Sequence, residues 1–201
     1  MSNVTASMVS DLRARTGAGI MDCKKALTES GGDLEKATEA LRKAGIAKAA
    51  RKAGRATAEG LVHSYIHPGG RIGVLIEVNC ETDFAARNGQ FQALVHDLAM
   101  HVAAARPLSV RVEDLDAGIV ARERSLFEAQ AKESGKPAGV VEKMVEGRLK
   151  KFYEENVLLY QPFVKDPDKT VEDVVKAAIA TIGENIVLRR FQRFELGQED
   201  A

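Results

Sequence analysis

The sequence predicts an α+β protein in which helices group against a small antiparallel sheet. Apolar residues at helical spacing fill residues 5–45 and much of the chain after residue 88, whereas apolar and polar residues alternate in three short runs. Two of these runs flank a turn signal, His67-Pro68-Gly69-Gly70, which indicates a hairpin. Helices grouped around antiparallel strands are typical of the α+β class.

Three short helices are expected within residues 5–45. Thr5 is a suitable N-cap for the first helix, and the Gly17-Ala18-Gly19 segment ends it. The second helix is expected from Ile20 to about Glu29. Its inward-facing residues are predicted to be Ile20, Cys23, Ala26 and Leu27. Asp33 is a good N-cap for the third helix, and the buried stripe of that helix is predicted to be Leu34, Ala37 and Leu41.

Residues 46–58 are predicted to form a linker helix with one basic face. The basic side chains at helical spacing are Lys48, Arg51, Lys52 and Arg55. No acidic residue occurs between Arg42 and Arg55, and a solvated basic face is the simplest interpretation. An RNA- or ribosome-binding protein that uses the basic helix 42–55 is the alternative function.

The remaining residues, 59–201, are predicted to form an α+β core domain. Strands over Leu61–Ile66 and Arg71–Asn79 make the hairpin, and an amphipathic helix begins near Phe91. The second strand is expected to place Ile72, Val74, Ile76 and Val78 on one face. A helical pair is expected at about 114–155, followed by an irregular connection over 156–168.

A last helix is predicted to begin at Thr170, and a final strand is predicted over Ile186–Glu195. Alternation in this strand places Leu188 and Phe194 on one face and Phe191 on the other. Apolar side chains then occur on both faces of a sheet with three strands. A second copy of the chain could cover the outer face, and we therefore expect a non-covalent homodimer.

Composition limits the functional classes. The chain has 201 residues with 29 basic and 29 acidic side chains, so its formal net charge is zero. A dedicated nucleic-acid binder usually carries a basic excess, and no direct nucleic-acid partner is expected. The N-terminus shows no secretory signal, and no apolar stretch reaches the ~20 residues that span a bilayer. We therefore expect a cytoplasmic protein with no membrane partner.

The sequence shows no catalytic or metal-binding pattern, so neither a cofactor nor a metal is expected. The four histidines lack the spacing of metal ligands: His63, His67, His96 and His101. The glycine-rich run at 69–73 joins two strands, whereas a phosphate-binding loop leads from a strand to a helix. Cys23 and Cys80 form no disulfide framework. A small enzyme with Cys80 as nucleophile is a third alternative, but the sequence favours an interaction protein.

The most informative run is Asn79–Asn88, which reads NCETDFAARN. It places Phe84 directly after Asp83 in a short segment between a strand and a helix. Burying such a side chain is worth roughly 1.5–3 kcal/mol, and a partner protein could supply that cover. The alternative is that Phe84 turns inward and caps the local core.

Two blocks of the sequence resemble signatures of the bacterial translation elongation factor Ts family. The first block, Leu12–Leu27, reads LRARTGAGIMDCKKAL, and the second, Glu77–Asn88, reads EVNCETDFAARN. The resemblance continues through residues 161–164 to residues 193–197, so it covers nearly the whole chain. With one hairpin and one C-terminal strand, the chain resembles the short form of the family.

The resemblance implies a non-enzymatic guanine-nucleotide exchange factor for elongation factor Tu, which it would bind in the GDP-bound and nucleotide-free states. Residues 1–45 would then form a ubiquitin-associated-like domain that grips the GTPase domain. The implied partner-binding residues of that domain are Arg13, Ile20, Met21 and Lys24. The resemblance also implies that Thr82, Asp83, Phe84 and Ala85 dislodge Mg²⁺, with Phe84 entering a pocket of the partner.

Two positions depart from the family pattern. The family usually has valine where this chain has Ala85, and it often has methionine where this chain has Ile20. Both replacements keep an apolar side chain. We therefore expect them to tune partner binding rather than abolish it.

Overall fold

The protein is described by a computed structural model that covers residues 4–133 and 135–198. The described residues exclude residues 1–3 and 199–201, which belong to the predicted domains, and residue 134, which belongs to the predicted helical pair. The helices are α1 (Ala6–Thr16), α2 (Ile20–Glu29), α3 (Leu34–Lys52), α4 (Asp83–Ala86), α5 (Gly89–Ala105), α6 (Ala117–Lys132), α7 (Ala138–Asn156) and α8 (Val171–Ile182). The strands are β1 (Glu59–Ile66), β2 (Ile72–Cys80), β3 (Pro162–Phe163), β4 (Asp166–Thr170) and β5 (Ile186–Glu195).

The α+β class is confirmed. Strands β1, β2 and β5 form an antiparallel three-stranded sheet in the order β1-β2-β5, so β2 is the central strand. Val74, Ile76 and Val78 of β2 are buried on one face, as the alternation predicts.

The expectation of an irregular connection over 156–168 is wrong. Strands β3 and β4 pair there as a small antiparallel hairpin, with Phe163 opposite Asp166. The sequence conceals it because each strand is short and each contains a proline, Pro162 and Pro167, which is unusual inside strands.

By internal packing the chain divides into two compact units. Within the described residues, the first unit comprises residues 4–61, 78–94 and 173–187. The second comprises residues 62–77, 95–172 and 188–198. The functional domain boundaries at 1–45, 46–58 and 59–201 stay a prediction.

In the first unit, helices α1, α2 and α3 pack around a small core. Its buried members are Leu12, Cys23, Ala26, Leu27 and Ala37. Thr5 caps α1 by accepting a hydrogen bond from the Met8 N–H, and Asp33 caps α3. Gly17 ends α1 in the left-handed region (φ 67°), and its N–H donates to the Arg13 carbonyl.

Two predictions in this region are corrected. Ile20, expected to face inward, is 55% exposed, because it is the first residue of α2 and lies beyond the buried stripe of Cys23, Ala26 and Leu27. The basic segment predicted as a separate linker helix continues α3, which ends at Lys52 instead of residue 58. Alanine-rich sequence supports this continuous helix.

In the second unit, α6 and α7 form the predicted helical pair around Ala131, Val145 and Leu149. Helix α5 is the amphipathic helix predicted to begin near Phe91, and its buried face includes Val95, Leu98 and Val102. Within the described ranges 4–133 and 135–198, no helix combines the length and apolar character that a bilayer crossing requires.

Strand β5 departs from simple alternation. Leu188 is buried and Phe191 is partly buried, but Phe194 is 60% exposed. Two consecutive exposed residues, Arg189 and Arg190, interrupt the alternation of burial. Leu188 and Phe194, which the alternation predicts on one face, therefore differ in burial.

Candidate functional site

The run singled out in the sequence forms a short helical turn directly after β2. Thr82 is the N-cap of α4, and its Oγ1 accepts a hydrogen bond from the Ala85 N–H at 3.3 Å. Asp83 forms an ion pair with Arg87 one turn later, with 3.0 Å between Oδ2 and Nη2. We call Thr82–Ala85 the wedge turn.

The wedge turn points its aromatic side chain away from the protein. Phe84 is 80% exposed, whereas Ala85 and Ala86 are buried. The interpretation in which Phe84 turns inward to cap the core is therefore wrong. Ala85 is covered by its own chain, so only Thr82, Asp83 and Phe84 of the four predicted site residues present accessible surface.

Cys80 lies just before the wedge turn and is fully buried. Its Sγ donates to the Thr82 carbonyl at 3.2 Å, and burial raises the pKa of the thiol. Glu184 raises the pKa further by its negative charge. A buried, protonated thiol is a poor nucleophile, which removes support from the cysteine-enzyme alternative.

Glu184, which follows α8, accepts hydrogen bonds at the start of the wedge turn. Its Oε2 accepts hydrogen bonds from the Glu81 N–H at 3.1 Å and the Thr82 N–H at 3.0 Å. Its Oε1 accepts a third from the Thr82 hydroxyl at 2.6 Å. One carboxylate thus satisfies three donors at the start of the turn.

Glu81 makes the reciprocal contact. Its Oε1 accepts a hydrogen bond from the Asn185 N–H at 2.6 Å, and its Oε2 lies 3.4 Å from a guanidinium nitrogen of Arg55. The Asn185 hydrogen bond, aided by the charge of Arg55, lowers the pKa of Glu81. We call Glu81, Glu184 and Asn185 the clamp.

The clamp also reaches the end of α3. Asn185 is buried, and its Nδ2 donates to the Arg55 carbonyl at 2.9 Å and to the Ala53 carbonyl at 3.5 Å. Sequence reasoning missed Glu184 and Asn185 because each lies about a hundred residues from its partners in the wedge region. The only local signal is the Gly183-Glu184-Asn185 tripeptide between a helix and a strand.

The predicted partner-binding residues of the N-terminal helices all lie at the surface. Met21 is 75% exposed and follows the exposed Ile20 on the first turn of α2. Lys24, also on α2, and Arg13, on α1, are exposed as well. These four residues therefore present both apolar and cationic groups to solvent.

The basic side chains proposed for RNA contact are largely engaged within the chain. Lys48 Nζ lies 2.7 Å from Asp22 Oδ2, and Lys52 donates to the Gly183 carbonyl. Arg55 pairs with Glu81, as described above. Three of the four basic groups at 46–58 thus have internal partners.

Residues 4–133 and 135–198 contain no candidate metal site. No group of three or more His, Cys, Asp or Glu side chains is placed within these ranges to hold an ion. His101 is buried and hydrogen-bonded, with Nε2 3.0 Å from Gln161 Oε1. Its environment is that of a structural histidine.

Comparisons with known proteins agree over nearly the whole chain. The family described as Elongation factor TS matches residues 3–180. Elongation factor Ts of Syntrophobacter fumaroxidans is 58% identical over 196 residues, which are 98% of each chain. Elongation factor Ts of Geotalea daltonii is 60% identical over 98% of this chain and 91% of its own. The Moorella thermoacetica protein of the same name is 60% identical over 97% of this chain and 96% of its own.

Proposed function

Because the chain belongs to the elongation factor Ts family, and is thus a translation elongation factor, we propose that it promotes guanine-nucleotide exchange on elongation factor Tu. In this proposal it acts in the cytoplasm, binds the GDP form of the partner, accelerates GDP release and dissociates when GTP enters. No covalent bond is made or broken. The protein changes only the relative free energies of the partner's states.

The exposure of Phe84 on an anchored turn is the observation that carries the proposal. The ring is 80% exposed, so a partner pocket that covers it removes apolar surface from water and thereby stabilises the complex. The hydrogen bonds that hold Thr82 mean that little conformational entropy is left to lose on insertion. Phe84 is therefore well suited to act as a wedge between elements of a GTPase.

The wedge weakens GDP binding indirectly. Mg²⁺ and oriented backbone dipoles of a phosphate-binding loop hold GDP mainly by electrostatic attraction. An inserted side chain that stabilises another arrangement of this loop removes part of that attraction and dislodges the ion. Because the two binding events are thermodynamically linked, GDP must weaken binding of the exchange factor by the same ratio.

Asp83 can contribute a negative charge next to the inserted ring. Its ion pair with Arg87 lies at the surface, where such pairs are worth ~0–1 kcal/mol. The carboxylate can therefore leave Arg87 for a partner group at little cost. We assign Thr82 and Ala85 to holding the turn and Asp83 and Phe84 to contact with the partner.

The exposed residues of α1 and α2 provide the docking surface in this proposal. Ile20 and Met21 offer apolar area, and Arg13 and Lys24 add positive charge. Clustered apolar side chains with a charged rim are the usual composition of a protein-binding patch. This surface would hold the GTPase while the wedge acts.

We also propose that the protein is a homodimer. In the second unit, the outward positions of the strands carry the exposed apolar side chains Val62, Ile66, Leu75 and Phe194. If a second copy covers this sheet face, its apolar side chains are removed from water, and this burial stabilises the assembly. The same face on both subunits gives a closed, two-fold assembly.

RNA binding through the basic helix is the alternative function. The balanced charge of the chain speaks against it, because a nucleic-acid binder usually carries a basic excess. The partly exposed ion pairs of Lys48 and Arg55 would cost little to break. An RNA-binding function predicts an affinity for tRNA that falls steeply with salt.

Release of labelled GDP from elongation factor Tu tests the proposal. We expect release to accelerate with increasing concentration of this protein and to reach a plateau. A release rate equal to the rate without the protein, together with salt-dependent tRNA binding, would instead support the RNA alternative.

A further inference from the structure

We propose that Glu184 is the positioning residue of the wedge turn and acts on nucleotide release only through Phe84. This inference rests on the proposed exchange function and extends it to a residue 100 positions away in sequence. The geometry of the clamp carries it.

The wedge turn is too short to hold itself in one conformation. α4 has four residues, Asp83–Ala86, and an isolated helix of that length is not stable in water. The N-cap bond from Ala85 to Thr82 closes only one turn. The orientation of Phe84 must therefore be fixed by contacts from outside the turn.

Glu184 supplies those contacts at the two residues that precede α4. Hydrogen bonds to its carboxylate fix the Glu81 and Thr82 N–H groups and the Thr82 hydroxyl. Hydrogen bonds to an ionised acceptor are shorter and stronger than neutral ones. Fixing the backbone of Thr82 fixes the direction in which the next turn leaves β2.

The reciprocal half of the clamp fixes Glu184 itself. The N–H of the next residue, Asn185, donates to Glu81 at 2.6 Å, and the buried Asn185 side chain donates to the Arg55 carbonyl. The hydrogen bonds of Asn185 therefore hold the neighbouring Glu184 in a position from which its carboxylate reaches Thr82. This arrangement pre-organises the turn before any partner is bound.

Phe84 itself makes no contribution to this network. It is mostly exposed, and the hydrogen bonds end at the backbone of Thr82 and Ala85. Glu184 and Phe84 are thus separate in the free protein but coupled in function. Without Glu184, the Phe84 ring is still present, but it should no longer be held in the orientation that inserts into the partner.

A double-mutant cycle at Glu184 and Phe84 tests the inference. The rate of fluorescent GDP release from elongation factor Tu is measured at saturating concentrations of wild type, Glu184→Ala, Phe84→Ala and the double variant. If the turn without the clamp occupies the competent orientation about a tenth of the time, Glu184→Ala slows release about tenfold. In the Phe84→Ala background, Glu184→Ala should slow release less than about twofold, since the ring that it directs is gone.

Two further variants complete the design. Glu184→Gln keeps an acceptor oxygen and should recover part of the lost rate. Glu142→Ala removes an exposed glutamate of α7 in the other unit and should leave the rate at the wild-type value. The half-saturating concentration should change less than the maximal rate for Glu184→Ala, because the docking residues of α2 are untouched.

The outcomes separate this inference from the exchange function itself. Wild-type protein that fails to accelerate GDP release overturns the proposed function. Wild-type protein that accelerates release, with Glu184→Ala equally fast, overturns only the role of Glu184. Equal slowing by Glu184→Ala in both backgrounds also overturns it, because a general structural defect does not depend on Phe84.

Discussion

Phe84 and Ala85 are consecutive residues of one helical turn, yet Phe84 is 80% exposed and Ala85 is 6% exposed. Successive helical side chains point about 100° apart, so a turn that buries one residue can present the next one outward. Ala85 is held by its N–H bond to Thr82 and by its own burial. The buried alanine is thus an anchor for the exposed phenylalanine.

Replacing Phe84 with alanine should slow GDP release and leave folding intact. Removing an aromatic anchor from an interface typically costs ~2 kcal/mol or more. If that loss falls on the transition state for exchange, release slows roughly thirtyfold, since ~1.4 kcal/mol corresponds to a factor of ten. Stimulated release and the thermal midpoint should be measured on the same variant.

Phe91→Ala is the matched control for Phe84→Ala. Phe91 is fully buried, and a buried Phe→Ala change typically costs ~3–5 kcal/mol of stability. A Phe84→Ala protein that is as destabilised as Phe91→Ala, but whose folded fraction exchanges GDP normally, would show that Phe84 is a structural residue.

Replacing Ile20 and Met21 together with serine should weaken docking. Each apolar side chain is worth roughly 1.5–3 kcal/mol when fully buried, so the half-saturating concentration should rise at least about tenfold. The maximal release rate should change much less. Because both residues are exposed, the thermal midpoint should stay near the wild-type value.

Leu27→Ser distinguishes docking from folding in the same helix. Leu27 lies on α2 but is fully buried, so its loss should lower the thermal midpoint. An unchanged half-saturating concentration for the Ile20–Met21 variant would place the docking surface elsewhere.

Local signals are sufficient to predict much of the fold. Thr5 and Asp33 start α1 and α3 because their side-chain oxygens cap N–H groups two or three residues away. The alternation of Val74, Ile76 and Val78 predicts the buried face of β2 for an equally local reason. Whether a residue at the end of a helix is buried depends on tertiary packing and not on the local sequence, and for this reason the prediction for Ile20 is wrong.

The candidate site is only half predictable. The position of Phe84 between a strand and a helix marks it as informative but leaves open whether the ring is exposed or turns inward, and the structure shows it 80% exposed. The carboxylate that orients the turn comes from Glu184, and no periodicity or spacing relates it to Thr82. Contacts between distant segments arise from tertiary packing, which a single sequence does not display.

The homodimer prediction can be tested by mass in solution. At micromolar concentration we expect twice the mass of 21.7 kDa that one chain has. Phe194→Glu places a charge in the proposed interface, where burial without a partner is costly, and should yield monomers. Tyr160→Glu changes an exposed aromatic outside the three-stranded sheet and should leave the dimer intact. A monomeric wild-type protein would contradict the proposal.

Stability should fall as the pH decreases below about 6.5, and His101 should account for part of the loss. Burial lowers the pKa of His101, although its hydrogen bond with Gln161 partly opposes this effect. Nδ1 accepts the Val164 N–H at 3.1 Å, so a proton on that nitrogen would break the bond. The neutral ring is therefore the form that the fold requires.

The direction of the pH effect follows from where each state binds the proton. The unfolded chain takes up a proton near the ordinary histidine pKa of about 6.5, whereas the folded protein does so only at lower pH. The contribution of neutral His101 is fully present above about pH 6.5 and is lost as the pH falls toward the folded pKa. The loss is at most about 1.4 kcal/mol per pH unit for one group. The pKa of His63 is lowered by burial and by His96, so it acts in the same direction.

Urea unfolding at about pH 7.5, 6.5 and 5.5 measures how the unfolding free energy depends on pH. These pH values lie above the range in which carboxylates ordinarily titrate. His101→Gln should lower stability at every pH, because Val164 loses its acceptor, but it should reduce the slope between about pH 6.5 and 5.5. The slope of the unfolding free energy against pH reports the difference in protons bound by the two states. A His101→Gln protein with an undiminished slope would therefore assign the pH dependence to other groups.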